Sequence, residues 1–217
     1  MLLEDLNQNY QDLQPKERLQ RLYSDFDPSR ILITSSFGST SVLLLHMISQ
    51  VKPDHPVYFV DTSYHFPQTK EYVELLRNKL NLNIQKLRAE PKKNQFTKEN
   101  QTWKYNHELC CFINKIDPVD QIVAHYDVWI SGLFAFQNSN RSKLKTFEPK
   151  DQVLKFHPVI DMSKEEVATY LKIYDLPVHP LVSQGYDSIG CTHCTKKGEG
   201  RVGRWLEFSK TECGLHV

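Results

Sequence analysis

Net charge is the first thing this chain lacks. Its 27 basic and 26 acidic side chains leave +1 with the histidines neutral. No bulk field therefore draws it to nucleic acid or to an anionic membrane, and any anion site has to be local. No apolar run is long enough to span a bilayer. The opening residues Met1-Leu2-Leu3-Glu4-Asp5 carry acid where a secretory leader carries base, so a cytoplasmic location is expected. Internal repeats and low-complexity tracts are absent, and so is the Gly-Lys-Ser/Thr ending of a Walker A loop.

What is present suits one domain with appendages: 217 residues, 40% of them hydrophobic, enough for a real core. The spacing of Leu3, Leu6, Tyr10 and Leu13, then Leu19, Leu22, Tyr23 and Phe26 predicts helix over 2–26, with Pro15 starting a second helix. Strands are expected at Ile31-Leu32-Ile33, Val57–Val60, around Leu82–Leu87, at Val128–Ser131 and around Val153–Phe156. Helices are expected from Val42, over Thr69–Leu80, and over Ser163–Ile173 with a capping box at Ser163 and Glu166. Strands alternating with helices predict an α/β fold with a doubly wound, mainly parallel sheet. Residues 88–106 are polar and read as a mobile excursion. The expected organisation is a helical segment (1–29), a nucleotide-binding α/β domain (30–180) and an irregular tail (181–217), forming one unit. Ligands of such sheets sit beyond the carboxyl ends of the strands, so Ser35–Ser41, Asp61–Phe66 and Gly132–Arg141 should face one cleft.

The small, polar loop Ser35-Ser36-Phe37-Gly38-Ser39-Thr40-Ser41 can ring an anion at a helix N-terminus, or it can be an ordinary capped turn. Four of the five cysteines form two pairs, Cys110-Cys111 and Cys191-Thr192-His193-Cys194, and Cys213 stands alone near the end. In a reducing compartment such pairs are metal ligands or redox groups rather than staples. Adjacent cysteines on a helix point about 100° apart, which is awkward for one tetrahedral ion and tolerable for a cluster. Iron–sulfur and zinc both stay open on this ground, with iron–sulfur preferred; inert core thiols are the bland alternative.

Ser35-Ser36-Phe37-Gly38 before a helix, then Asp61-Thr62 and His65-Phe66-Pro67 after the second strand, resemble the adenylyl-sulfate/phosphoadenylyl-sulfate reductase family, of the pyrophosphatase-loop, adenine-nucleotide-hydrolase-like group. The resemblance implies phosphate binding at Ser35, Ser36, Phe37, Gly38 and Ser41, with Asp61 and Thr62 near adenine and ribose. Cys110-Cys111 with Lys115, and Gly185–Thr195 around Cys191 and Cys194, are similar to segments that hold one [4Fe–4S] cluster in the adenylyl-sulfate branch. Glu212-Cys213-Gly214-Leu215-His216 matches the family's catalytic terminal motif. The resemblance therefore implies that Cys213 attacks the sulfur of adenylyl sulfate, that AMP leaves, and that thioredoxin or glutaredoxin releases sulfite, in sulfate assimilation. Lys115, Gln137, Arg141, Arg201 and Arg204, with His107 assisting, are the implied substrate clamp.

One segment departs from that pattern. After Trp129-Ile130-Ser131-Gly132-Leu133 the family carries two arginines and an acid; this chain has Phe134, Ala135 and Phe136. Two charges missing from an expected active-site loop open two other readings: a paralogue acting on a different adenylylated or sulfonated substrate, or a catalytically silent iron–sulfur nucleotide binder. Cys213 argues against the silent binder.

Overall fold

The computed structural model describes residues 2–205 together with 212, 214 and 215. Helices α1 (Leu3–Gln11) and α2 (Pro15–Asp25) lead into β1 (Ile31–Ser35), α3 (Ser41–Val51), β2 (Val57–Val60), α4 (Pro67–Leu80) and β3 (Ile84–Leu87). Four short helices follow: α5 (Pro91–Glu99), α6 (Thr102–Tyr105), α7 (His107–Cys111) and α8 (Asp117–Val123). Then come β4 (Val128–Ile130), β5 (Phe147–Lys150), β6 (Val153–Phe156) and α9 (Lys164–Ile173). Among the described residues no helix is long and apolar enough to cross a membrane.

The six strands form one sheet in the order β3-β2-β1-β4-β6-β5. All neighbours are parallel except β5, which runs antiparallel to β6. Ile31-Leu32-Ile33 is buried on both faces, as a central parallel strand requires. Strand order reverses at β1, with β2 on one side and β4 on the other. The crevice at that switch point is where this architecture binds ligands.

The core joins the N-terminal helices to the sheet. Leu6, Tyr10, Leu19 and Leu22 pack in the same cluster as Ile31, Phe147 and Phe156. Tyr10 meets Phe147 edge-on at 4.9 Å. Beneath them Arg18 is 2% exposed, its guanidinium forked onto Asp161 at 2.6 Å from each oxygen and capped by the carbonyls of Tyr10, Gln11 and Pro158. A buried guanidinium is tolerated because its donors are used.

Two expectations need correcting. Residues 88–106 are not a loose excursion: α5 and α6 occupy most of them. They are anchored by polar contacts, which is why apolar patterning does not reveal them. Buried Thr97 bonds the Tyr64 hydroxyl at 2.7 Å, the Asn94 carbonyl at 2.7 Å and the Asn114 amide at 3.1 Å. The second correction is β5, a strand containing Pro149. Proline is confined to edge strands, and this edge is covered by α1. The Asn7 amide donates to the Phe147 carbonyl at 3.0 Å and accepts from its N–H at 2.9 Å, imitating a neighbouring strand.

Candidate active site

At the carboxyl end of β1 the chain turns through Ser36-Phe37-Gly38-Ser39-Thr40 before α3 begins. Phe37 holds φ +51°, a left-handed backbone that costs a bulky residue about 1–3 kcal/mol. Its ring anchors the turn from below, fully buried and edge-on to Phe59 at 5.3 Å. The strained backbone leaves Ser35, Ser36, Gly38, Ser39, Thr40 and Ser41 lining a cleft, a concave site of the kind that holds small ligands. Ser41 Oγ donates to the Gly38 carbonyl at 2.8 Å. Ser39 Oγ donates to the Asp187 carbonyl at 2.5 Å, tying the loop to the tail.

Four cations line the same cleft: Lys115, Arg141, Arg201 and Arg204. Arg204 lies over the Trp205 ring at 4.2 Å. It presses so close to Gly190 that a Cβ there would stand 2.5 Å from its Nη2, so a side chain at 190 would push the guanidinium aside. Arg141 is buried and forked onto Glu212, Nε to Oε1 at 2.6 Å and Nη2 to Oε2 at 2.8 Å, and it also donates to Gln137 Oε1. Arg201 reaches Glu212 Oε2 at 3.1 Å and the Asn138 amide reaches Oε1 at 2.6 Å. Burial pushes the Glu212 carboxyl upward. The bond and charge of Arg141, the charge of Arg201 and the Asn138 bond outweigh that and hold it below the usual range. Leu215 also lines the cleft, and Gly214 packs closely against Ile116.

A second, much smaller cavity opens beside the cleft and is lined by Cys110, Cys111, Cys191 and Cys194. Trp103 and His193 stack over it at 4.3 Å and 11°, and Tyr64 packs against both. Cys110 and Cys111 are the last two residues of α7, which continues as a π turn, Phe112–Ile116. Such turns recur at functional sites, and this one carries Asn114 and Lys115. The Asn114 amide donates to the Cys110 carbonyl at 2.9 Å and lies 3.7 Å from its sulfur. Thr62 Oγ1 is 3.2 Å from the Cys191 sulfur. Burial drives Cys110 up to about 11 and Cys194 up to about 12, and the neighbouring thiols add to both. Bare, these sulfurs keep their protons; a bound cation would draw them off.

Among the described residues no three Cys, His, Asp or Glu side chains are gathered tightly enough to hold a single ion. The donor set is four soft sulfurs spread around a cavity with no carboxylate in its lining, which fits a thiolate-ligated iron–sulfur cluster. Lys115 lines both cavities, so one cation stands between the thiols and the cleft.

A phosphoadenosine phosphosulfate reductase domain matches residues 30–197. The chain belongs to the phosphoadenosine phosphosulfate reductase family. It is 38% identical to the adenosine 5'-phosphosulfate reductase of Staphylococcus epidermidis over 215 residues, 93% of this chain and 86% of that protein. It is 35% identical to the protein of the same name from Halalkalibacterium halodurans over 228 residues, 98% and 96% of the two chains. The phosphoadenylyl-sulfate reductase of Candida auris, solved as a phosphate complex, superposes with a TM-score of 0.76 at 26% identity, covering 89% of this chain and 95% of that one. FMN adenylyltransferase of Candida glabrata shares the fold alone, at TM-score 0.58 and 14% identity over 90% and 73% of the chains. The sheet is thus of the adenine-nucleotide-hydrolase type.

In this family member the expected site residues divide into groups. Ser35, Ser36, Gly38, Ser41, Lys115, Gln137, Arg141, Arg201 and Arg204 meet in the cleft. Phe37 is the buried anchor beneath it. Asp61 is instead held by Arg88 at 2.6 Å and is not among the cleft residues; Thr62 belongs to the cysteine cavity. His107 opens α7 and lines neither cavity. Cys213 lies outside the described residues. Phe134 and Phe136 pack into the main core, Phe134 at 1% exposure, and with Ala135 they stay out of the cleft lining. Of the two residues that stand where the family carries arginines, Phe134 is thus part of the core and Ala135 is not among the cleft residues. Sequence reasoning overlooked Ser131, whose hydroxyl pairs with His157 Nδ1 at 2.7 Å, as well as Trp205, Glu212 and Lys155. For Lys155 a signal existed: a lysine at an inward position of the strand Val153-Leu154-Lys155-Phe156.

Proposed function

We propose that this protein reduces adenylyl sulfate to sulfite and AMP, in sulfate assimilation, with Cys213 as nucleophile and Cys110, Cys111, Cys191 and Cys194 as ligands of a [4Fe–4S] cluster. The observation that carries the reading is the shared Lys115: the serine-lined cleft and the four-thiol cavity meet at one cation. The relatives named adenosine 5'-phosphosulfate reductases support the substrate. A structure of the Candida auris phosphoadenylyl-sulfate reductase was solved as a phosphate complex, in keeping with an anion-binding protein.

The nucleotide's phosphate sits against the loop from Ser35 to Ser41, where backbone N–H groups and the α3 N-terminus favour negative charge. The sulfate end lies toward Lys115 and Arg204. Arg141 and Arg201 hold Glu212 and thereby the chain next to the nucleophile. The Cys213 thiolate attacks the sulfate sulfur. The bond from that sulfur to the bridging oxygen breaks, and AMP leaves with the electron pair. The enzyme then carries Cys213–S–SO₃⁻. One thiolate of a dithiol donor, thioredoxin or glutaredoxin, attacks the Cys213 sulfur and expels sulfite. Its second thiol cleaves the mixed disulfide, restoring Cys213 and leaving the donor oxidised. Two displacements replace one difficult reduction. A cluster on the four cysteines supplies a fixed, buried charge distribution next to Lys115.

The reading of a different substrate rested on the missing arginine pair. Phe134 lies in the core, so the pair's absence leaves Lys115, Arg141, Arg201 and Arg204 as the cations of the cleft lining among the described residues. The test is sulfite release from adenylyl sulfate with reduced thioredoxin. The wild-type protein is expected to turn over and Cys213→Ser to be inactive while still binding AMP. Equal turnover by the variant would remove the nucleophile assignment.

A further inference from the structure

Lys155 is 5% exposed, in the middle of β6, paired in register with Trp129 of β4. Its ammonium lies 4.0 Å from the centre of the Trp129 ring and donates to the carbonyl oxygen of Leu215. Trp129 is itself pinned, its indole N–H donating to Thr34 Oγ1 of β1 at 2.9 Å. A chain of contacts thus runs across three adjacent strands and ends on the tail, two residues beyond Cys213 in sequence. The Leu215 side chain is buried with Leu32, Val60, Val119, Trp129, Val153 and Trp205. On the other side of Cys213 in sequence, Glu212 is caged by Arg141, Arg201 and Asn138.

We infer that Lys155 is a positioning residue: it latches the backbone of the tail at Leu215, and together with the Glu212 cage it fixes the residues on either side of Cys213 in sequence. The inference rests on the reading of Cys213 as the nucleophile. Burying an ammonium is costly unless its donors are used, and an apolar residue of the same length would fill the slot beside Trp129 more cheaply. What lysine adds there is the bond to a buried carbonyl that needs a donor and the attraction to the indole face. Arg141 and Arg201 act on a side chain, whereas Lys155 acts on the main chain, so it fixes the tail whatever the state of the Glu212 carboxyl.

The experiment compares wild type, Lys155→Met, Lys155→Arg and, as a control for a released tail, Leu215→Ser, all as full-length protein. Trypsin cleavage after Lys210 is followed by mass spectrometry against cleavage at sites elsewhere in the chain. Steady-state sulfite release is measured in parallel. K155M is expected to speed cleavage after Lys210 about tenfold or more, as Leu215→Ser does, with melting temperature little changed. It is also expected to lower kcat with KM for the nucleotide unchanged. K155R, which keeps a donor, should restore most of the protection. The inference is overturned by K155M as protected as wild type, by K155R as labile as K155M, or by a wild-type tail cut as fast as the control. If K155M does not fold, Lys155→Gln replaces it with the same outcomes. Loss of protection in K155M and its rescue in K155R, with no sulfite formed by wild type, support the latch while the reductase reading fails.

Discussion

Phe134 and Arg141 stand seven positions apart on one loop and face opposite ways. Phe134 stacks on Phe136 at 5.2 Å inside the core, while Arg141 is forked onto Glu212 at the cleft wall. Motif comparison treated both as active-site positions, because it reports which residue type is usual and not which way a side chain points. Phe134→Arg should therefore not gain activity. It places an unpaired charge in the core and should destabilise the protein by about 3–5 kcal/mol, read as a lower urea midpoint; a variant as stable as wild type with faster turnover would contradict this. The cysteine pairs were legible from spacing, whereas Lys115, Arg141, Arg201 and Arg204 of the cleft were reached through the family resemblance alone. Glu212 as the partner of two arginines was not legible, since nothing local distinguishes it from a solvated tail acid.

At the scale of elements, periodicity located α1 to α4, β1 to β4, β6 and α9 because each carries an apolar stripe or run. Helix α9 also carries its start signal, with Ser163 Oγ accepting from the Glu166 N–H at 3.1 Å. Where tertiary polar contacts replace apolar burial, the pattern is silent, as in α5 and α6. The π turn at Phe112–Ile116 is a further case: projecting Lys115 from Cys110 at a helical period fails across a widened turn. Strand β5 was hidden by its proline and is completed by Asn7. Asn7→Ala removes both bonds to Phe147 and leaves that backbone without its lateral partner. A loss of about 1–3 kcal/mol is expected, measured by thermal or urea unfolding; no change would mean that β5 holds without the cap.

Over the whole molecule, the strand order puts both cavities at one edge of the sheet, and buried histidines stand behind them. His157 is lowered to about 3, by burial first and then by the charge of Lys155, against the Ser131 bond. His179 is lowered to about 4, by burial and then by His65. Its Nδ1 accepts from the Leu181 N–H at 3.2 Å, leaving Nε2–H for Thr69 Oγ1 at 3.0 Å. Both folded-state values lie below the unfolded one near 6.5, so the unfolded chain takes up protons first as pH falls. Stability is complete above about pH 6.5 and is lost as pH falls from there to about 4 for His179 and about 3 for His157, at about 1.4 kcal/mol per pH unit for each. Urea unfolding at pH 7.5 and pH 5 should differ by several kcal/mol; a flat profile would contradict the neutral, buried assignment.

The central claim, a cysteine nucleophile fed by an adenylyl sulfate cleft, is tested most directly by a single turnover without any thiol donor. Anaerobic protein is mixed with adenylyl sulfate, AMP is counted, and the cysteine-containing peptides are mapped. The expected result is one AMP per active protein and a sulfonate on Cys213, with no free sulfite until reduced thioredoxin is added. No AMP from protein with its four-cysteine site loaded, or a sulfonate on one of the other four cysteines, would contradict it.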